Sequence, residues 1–243
     1  MTPIDGWPRA LGLRRHERLD STNEEALRLA RAGERGPLWV VASEQTAGRG
    51  RRGRRWVSQR GNLFATFLTE AQASASAQLG FAAALAAGET ISRYVPASDV
   101  RLKWPNDVLL EGKKTAGILL ETTGENVVAI GIGINLAHHP SGNALLANSV
   151  ALIGGLAPHP DDALVSLARS MAAWYEVWRK HGFAPVRAAW ISRAAGLGCR
   201  IQASIGQSEM QGVFEDIDLE GALLLRDGGT LHRVTAGDVF FRS

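Results

Sequence analysis

EQTAGRGRRGRRWVSQRGNL, residues 44–63, sets six arginines and four glycines between two apolar runs. LWVVAS (38–43) leads into it and LFATFLT (63–69) leads out, and both have the unbroken apolar character of buried strands. The loop is therefore pinned at both ends. Glycine lets a backbone approach a ligand closely, and each arginine carries a planar fork of donors suited to carboxylate or phosphate. The stretch is an anion-wrapping loop by composition. Its glycine-rich backbone has much entropy to lose and its crowded cations repel one another, so order should come with the ligand.

Upstream, DSTNEEALRLARAG (20–33) predicts a short helix with Ser21 or Thr22 as cap, Glu24 or Glu25 completing a capping box and Gly33 as stop. Downstream, residues 71–94 have helical spacing through Leu79, Ala83, Leu85 and Ile91, with Pro96 following. Residues 100–104 predict a strand that breaks at Pro105. Residues 108–110, the turn Glu111-Gly112-Lys113 and residues 115–121 then predict an antiparallel hairpin, which leaves Lys103, Asn106, Asp107 and Lys114 at strand edges and turns. In NVVAIGIGINL (126–136), Gly131 and Gly133 alternate with isoleucine. The run lacks the third glycine and the opening helix of a dinucleotide fingerprint, and alternating glycine on a strand instead lets a flat group or another backbone lie against it.

Residues 137–160 have loop composition. His138, His139 and His159 lack the carboxylate or cysteine partners that a metal set would need. A helix is expected from Asp161, capped by its own side chain, to about Lys180, with Leu164, Leu167, Ala168, Met171, Trp174, Tyr175 and Trp178 on its buried stripe, and a helical turn at 185–192. From about residue 196 the pattern changes to five short strands (199–204, 210–217, 222–225, 232–234 and 238–241), which suggest a small SH3-like barrel. The expected division is a domain over 1–195 and a second over 196–243.

The chain of 243 residues is 45% hydrophobic and 21% charged, enough for an ordinary core. Its formal charge of +3 excludes a general polycation of the kind that coats nucleic acid. The single cysteine, Cys199, excludes an internal disulfide and any multi-cysteine metal site, and packing is its expected role. No run of about twenty apolar residues could span a bilayer, and the N-terminus lacks a signal-peptide core, so a soluble cytoplasmic protein without membrane contact is expected.

Together, a polar helix start, a Gly/Arg loop, WPND with a lysine seven residues after its aspartate, and a Gly-alternating strand ending in asparagine point to carboxylate activation. Cations on both sides of a carboxylate and a nucleotide phosphate would offset the repulsion that opposes their reaction. Asp107 suits a Mg²⁺ ion shared with phosphate oxygens, and Asn135 suits a polar group of the nucleotide or a metal-bound water. No P-loop motif is present.

Through STN (21–23), EQTAGRGRRGRRW (44–56), GNL (61–63), KWPND (103–107), KKTAGIL (113–119) and GIGIN (131–135), the chain resembles the biotin protein ligases. The resemblance implies an α+β fold, a class II synthetase-like biotin/lipoate ligase catalytic domain with a mixed, largely antiparallel sheet and flanking helices, followed by the SH3-like domain. It implies a two-step reaction: biotin and Mg-ATP give biotinyl-5′-AMP and pyrophosphate, and the adenylate then acylates one lysine of a biotin carboxyl carrier protein. Carried over by motif, Ser21, Thr22, Asn23 and Gln45 would surround the ureido ring. Gly48, Arg49, Gly50, Arg51, Lys114 and Gly117 would complete the biotin site, with Arg51 and Lys114 at the carboxylate and α-phosphate. Arg49, Arg51, Arg54, Trp56, Asn106, Asp107, Lys114 and Asn135 would hold ATP and the adenylate, with Asp107 at Mg²⁺. Lys114, Arg51 and Asp107 are the catalytic candidates, and Asp107 is also the candidate to take a proton from the acceptor lysine or to orient it.

Family members that repress transcription carry a helix-turn-helix domain before the STN helix, which here begins at residue 21. A monofunctional ligase without operator binding is therefore expected. The loop at 137–149 matches the family's adenine-covering loop in placement only. Trp56 either packs over the closed loop or anchors its hinge. The hairpin edges leave room for a homodimer. Two rival readings stand beside this one: a lipoate ligase, and an RNA-binding module that uses residues 49–60 as a basic arm.

Overall fold

The computed structural model describes residues 4–124, 126–140, 147–206 and 208–241. Its larger sheet contains β1 (Gly12–Leu19), β2 (Leu38–Gln45), β3 (Leu63–Glu70), β4 (Val100–Lys103), β5 (Asp107–Leu110), β6 (Lys113–Thr123) and β7 (Val127–Ile134), in the order β1-β2-β3-β7-β6-β5-β4. The β1–β2 pair is parallel and every other neighbour antiparallel, the mixed, largely antiparallel sheet that was expected. Strand β1 was not anticipated. Half of its sequence GLRRHERL is charged, as suits an edge strand whose side chains are exposed or half-buried and which resists pairing with other chains.

Side chains alternate across a strand, so each strand feeds two faces. On one face Trp39, Phe67, Ile118, Ile130, Ile132 and Leu102 join the main core. They pack there with α2 (Ala73–Tyr94), α4 (Pro160–His181) and α5 (Phe183–Ile191). The fully buried Leu79, Leu85 and Ile91 of α2 sit among small alanines that let the helix lie close to the sheet. Each such leucine or isoleucine contributes about 1.5–3 kcal/mol by leaving water. Phe81 meets Phe183 and Trp190 edge-on at 5.2 and 5.1 Å. On the other face Leu38, Val40, Leu68 and Ala129 pack under α1 (Thr22–Arg31). Along β7 this second face continues as Gly131 and Gly133. Along β6, β5 and β4 the same alternation places Gly117, Asp107 and Lys103 there, opposite the core residues Ile118, Val108 and Leu102.

Residues 193–195 lead away by pairing with β4: Leu102 N donates to Arg193 O and Ala195 N to Leu102 O. The hairpin edge that was expected to be open to a second subunit is taken within the chain at Leu102. Beyond it β8 (Arg200–Ile205), β9 (Ser208–Ile217), β10 (Leu223–Asp227), β11 (Thr230–Val234) and β12 (Asp238–Phe241) form an antiparallel sheet in the order β11-β10-β9-β8-β12.

Several local expectations change. Ser21 holds the N-cap position of α1 but makes no capping hydrogen bond. Helix α4 begins at Pro160 and is capped by His159, whose ring accepts from Asp161 N, so Asp161 does not cap it. Within the stripe of α4, Leu164, Leu167, Ala168 and Met171 are buried, whereas Trp174, Tyr175 and Trp178 are only half-buried. The loop at 137–160 contains a short helix, α3 (Val150–Gly154), capped by Ser149. Residues 141–146, part of the segment matched to an adenine-covering loop, lie outside the described residues. Cys199 is exposed, not packed. Among the described residues no helix is long and apolar enough to cross a membrane.

Candidate active site

The glycine-bearing face of the sheet, the arginine loop and β12 enclose a cavity of about 680 Å³. One end is neutral and polar. Thr22 donates from its backbone N and its hydroxyl to Gln45 Oε1 (2.8 and 3.1 Å), and Gln45 Nε2 donates to Ser58 Oγ at 2.9 Å. The Thr66 hydroxyl, fully buried on β3, bridges Thr22 Oγ1 and Asn23 Oδ1 at 2.8 and 2.7 Å. Asn23 Nδ2 donates to Leu119 O and to Glu121 Oε2. A cradle of this kind holds donors and acceptors in fixed directions, as recognition of a small polar ligand requires. It needs a strand without a side chain beside it. A Cβ on Gly131 would fall inside van der Waals contact of Asn23 Oδ1.

The arginine loop lies across the middle. Trp56 N donates to Gly48 O and Gly50 N to Arg54 O, and Arg52 and Gly53 take left-handed φ of 56° and 72° that turn the chain back. Arg49 spans Glu24 and Glu121 at 3.1 Å each. Arg51 donates to Asn106 Oδ1, Gly237 O and Asp238 Oδ1 at 3.1–3.2 Å. Arg52 and Arg54 also reach Asp238, at 3.2 and 2.7 Å. Burial raises the Asp238 carboxyl, and the hydrogen bond and charge of Arg54 with the charges of Arg51 and Arg52 more than offset this, leaving it below the usual carboxylate range. Burial pulls the Arg51 guanidinium down, partly countered by Asp238. Glu24 is lowered chiefly by its hydrogen bond from Arg31, with Arg49 assisting.

Past the loop lies a charged row. Lys114 Nζ is 2.6 Å from Asp107 Oδ1 and 5.5 Å from the centre of the Trp56 ring. That ring lies flat against the sheet, where a Cβ on Gly133 or Gly117 would come within 2.6 or 2.9 Å of it. Trp56 therefore folds into the cavity, over β6 and β7. Asn106 donates to Ile118 O at 2.8 Å while accepting from Arg51. Asn135 is buried and donates to Asn148 O at 3.1 Å, and Asn148 in turn donates to Leu110 O and meets Thr115.

Ser21, Thr22, Asn23, Gln45, Arg49, Gly50, Arg51, Arg54, Trp56, Asn106, Asp107, Lys114, Gly117 and Asn135 all line this one cavity. Gly48 does not. It lies behind the loop, where a Cβ would sit 2.5 Å from Ser58 Oγ and 2.6 Å from Trp56 O, so its role is to let the loop pack. Lys103, Thr66, Glu121 and Asp238 were not among the predicted site residues. Lys103 was visible as the first residue of KWPND, but nothing in the sequence ties Asp238 to an arginine loop 184–187 residues away. Five of the six loop arginines (Arg49, Arg51, Arg52, Arg54 and Arg60) hold carboxylates of the chain itself, an arrangement that does not favour a basic arm displayed to RNA.

Residues 16–136 match the Biotin/lipoate A/B protein ligase family, and residues 196–242 match the Biotin protein ligase C terminal domain. A biotin–acetyl-CoA-carboxylase ligase of Paracoccus denitrificans is 46% identical over 92% of this chain and 98% of that protein. The bifunctional ligase/repressor of Escherichia coli is 31% identical over 93% of this chain and 72% of that protein. The structure of the biotin protein ligase from Aquifex aeolicus in complex with biotin and ATP superposes with a TM-score of 0.83 at 25% identity, covering 95% of this chain and 98% of that one.

Proposed function

The chain belongs to the biotin protein ligase family, and on that premise we propose that it activates biotin with ATP and transfers it to one lysine of a biotin carboxyl carrier protein. The observation that carries this reading is the order of groups along the cavity. A neutral hydrogen-bonding cradle lies at one end, paired cations in the middle, and a nucleotide-sized space with Trp56, Asn106 and Asn135 beyond. A lipoate ligase is not favoured, since a relative of matching length is a biotin ligase and the C-terminal match is to the biotin protein ligase domain.

Biotin lies with its ureido ring among Ser21, Thr22, Asn23 and Gln45 and its carboxylate toward Lys114 and Arg51. Those two cations neutralise the carboxylate and the α-phosphate together, so that a carboxylate oxygen can attack phosphorus and pyrophosphate leaves with the electrons of the broken P–O bond. Trp56 offers its ring face to the adenine, and Asn106 and Asn135 shape that end. The Asp107 carboxylate faces the cavity, and no fuller cluster of metal-binding side chains surrounds it among the described residues. That donor set fits Mg²⁺, which takes one or two carboxylates and completes its shell with phosphate oxygens and water. When bound it would neutralise phosphate charge. The arginine loop keeps water from the mixed anhydride until the carrier lysine arrives. Asp107 then takes the proton of that amine or orients it. We place the reaction in the cytoplasm, where the ATP and carrier domains it needs are found.

The test is acid-dependent pyrophosphate exchange with ATP and Mg²⁺. Exchange is expected with biotin; exchange with lipoate alone would overturn the proposal. A second expectation concerns Arg51→Gly. Losing one charge-assisted clamp corresponds to about a 10- to 100-fold faster escape of biotinyl-AMP. It should be read by rapid filtration and by biotin labelling of lysines on a bystander protein. Unchanged adenylate release would take Arg51 out of the lid.

A further inference from the structure

Resting on this reading, we propose that Lys103 binds the β- and γ-phosphates of ATP and holds the departing pyrophosphate. Arg49, Arg51, Arg54 and Lys114, which line the cavity with it, are each paired with carboxylates. Lys103 is not. Among the described residues its ammonium has no hydrogen-bond or ion-pair partner, and its companions are the rings of Phe240 and Phe241, 5.7 and 5.4 Å from Nζ. The exposed Arg55 is the other cavity cation without such a partner, but Lys103 is half-buried, and a half-buried cation without a direct partner leaves room for a ligand to supply the charge.

Its position selects which anion. Lys103 pairs directly with Asp107 across the β4–β5 hairpin, so the two side chains share one face, and Lys114 lies on the far side of Asp107. With the α-phosphate between Arg51 and Lys114, the row continues past Asp107 to Lys103. The next negative groups of ATP in that direction are the β- and γ-phosphates. The aromatic rings of β12 screen the ammonium from solvent on one side and favour a cation by their π faces. Burial lowers the Lys103 ammonium and the Asp107 charge acts to raise it. In the step itself the biotin carboxylate forms the new O–P bond, the bond from the α-phosphorus to the bridging oxygen breaks, and the electron pair departs on pyrophosphate, whose growing charge Lys103 meets.

The test compares Lys103→Met and Lys103→Arg in the full chain. Lys103→Met should raise the KM for ATP and the half-saturating pyrophosphate in the reverse reaction by about 10- to 100-fold, the loss expected for one hydrogen-bonded charge. The Kd for biotin and single-turnover transfer from synthetic biotinyl-5′-AMP to the carrier should stay native. Lys103→Arg should restore most of the ATP and pyrophosphate constants. Native ATP and pyrophosphate constants in Lys103→Met would overturn the assignment, as would equal losses in biotin affinity and transfer, which mark a structural effect. Absence of biotin-dependent exchange in the wild-type protein would instead overturn the ligase reading itself.

Discussion

Lys114→Ala is expected to lower biotin-dependent pyrophosphate exchange by about 10²- to 10³-fold, the effect of removing one preorganised donor from a site where charge develops. Two consequences are combined in that number. The ammonium that faces carboxylate and phosphate is gone, and Asp107, paired with it at 2.6 Å, is left as an uncompensated negative charge in the cavity. Lys114→Arg, which keeps a positive charge beside Asp107 but moves it, separates them. If stranding of Asp107 dominates, the arginine should recover most of the exchange; if the lysine acts directly on the reacting groups from its own position, Lys114→Arg stays nearly as low as Lys114→Ala. Thermal unfolding should change little, because the pair lies at the surface of a cavity and not among the core residues under α2. Native exchange in Lys114→Ala would remove it from the chemistry.

The parts of this molecule that were legible in the sequence are those fixed by local pattern. The arginine loop declares its strands because buried central strands are continuously apolar, and GIGIN declares a cleared face because alternating glycines leave one side of a strand without side chains. Strand β1 escaped notice because a charged edge strand has no apolar run to display. The five strands of the C-terminal sheet are short and bounded by turns, hence visible. That one of them brings Asp238 against three arginines is a tertiary fact with no local trace. Ser21 shows the opposite case. Its place before a helix was read as a cap, yet its hydroxyl makes no capping bond and the residue lines the cavity, so a local rule failed where the site begins.

The cleared face of β7 gives the other large effect. Gly131→Val should weaken biotin binding about 100-fold or more by calorimetry. Asn23 must swing away from a Cβ that overlaps its Oδ1, and so loses Thr66, Leu119 O and Glu121 as well as the ligand. Overpacking of this kind costs about 1–3 kcal/mol and each neutral hydrogen bond about 1 kcal/mol, which together reach two decades in Kd. Gly133→Val, two residues along the same face, meets Trp56 instead, at 2.6 Å from its indole. It should therefore leave biotin affinity near native while raising the KM for ATP and loosening the adenylate. The contrast between the two variants is informative because both add the same side chain to the same strand and carry the same β propensity, so a shared loss would indicate damage to the sheet. If Gly131→Val binds biotin as tightly as the native chain, Asn23 does not hold the ureido ring, and the neutral cradle beside it would have to serve another part of the ligand.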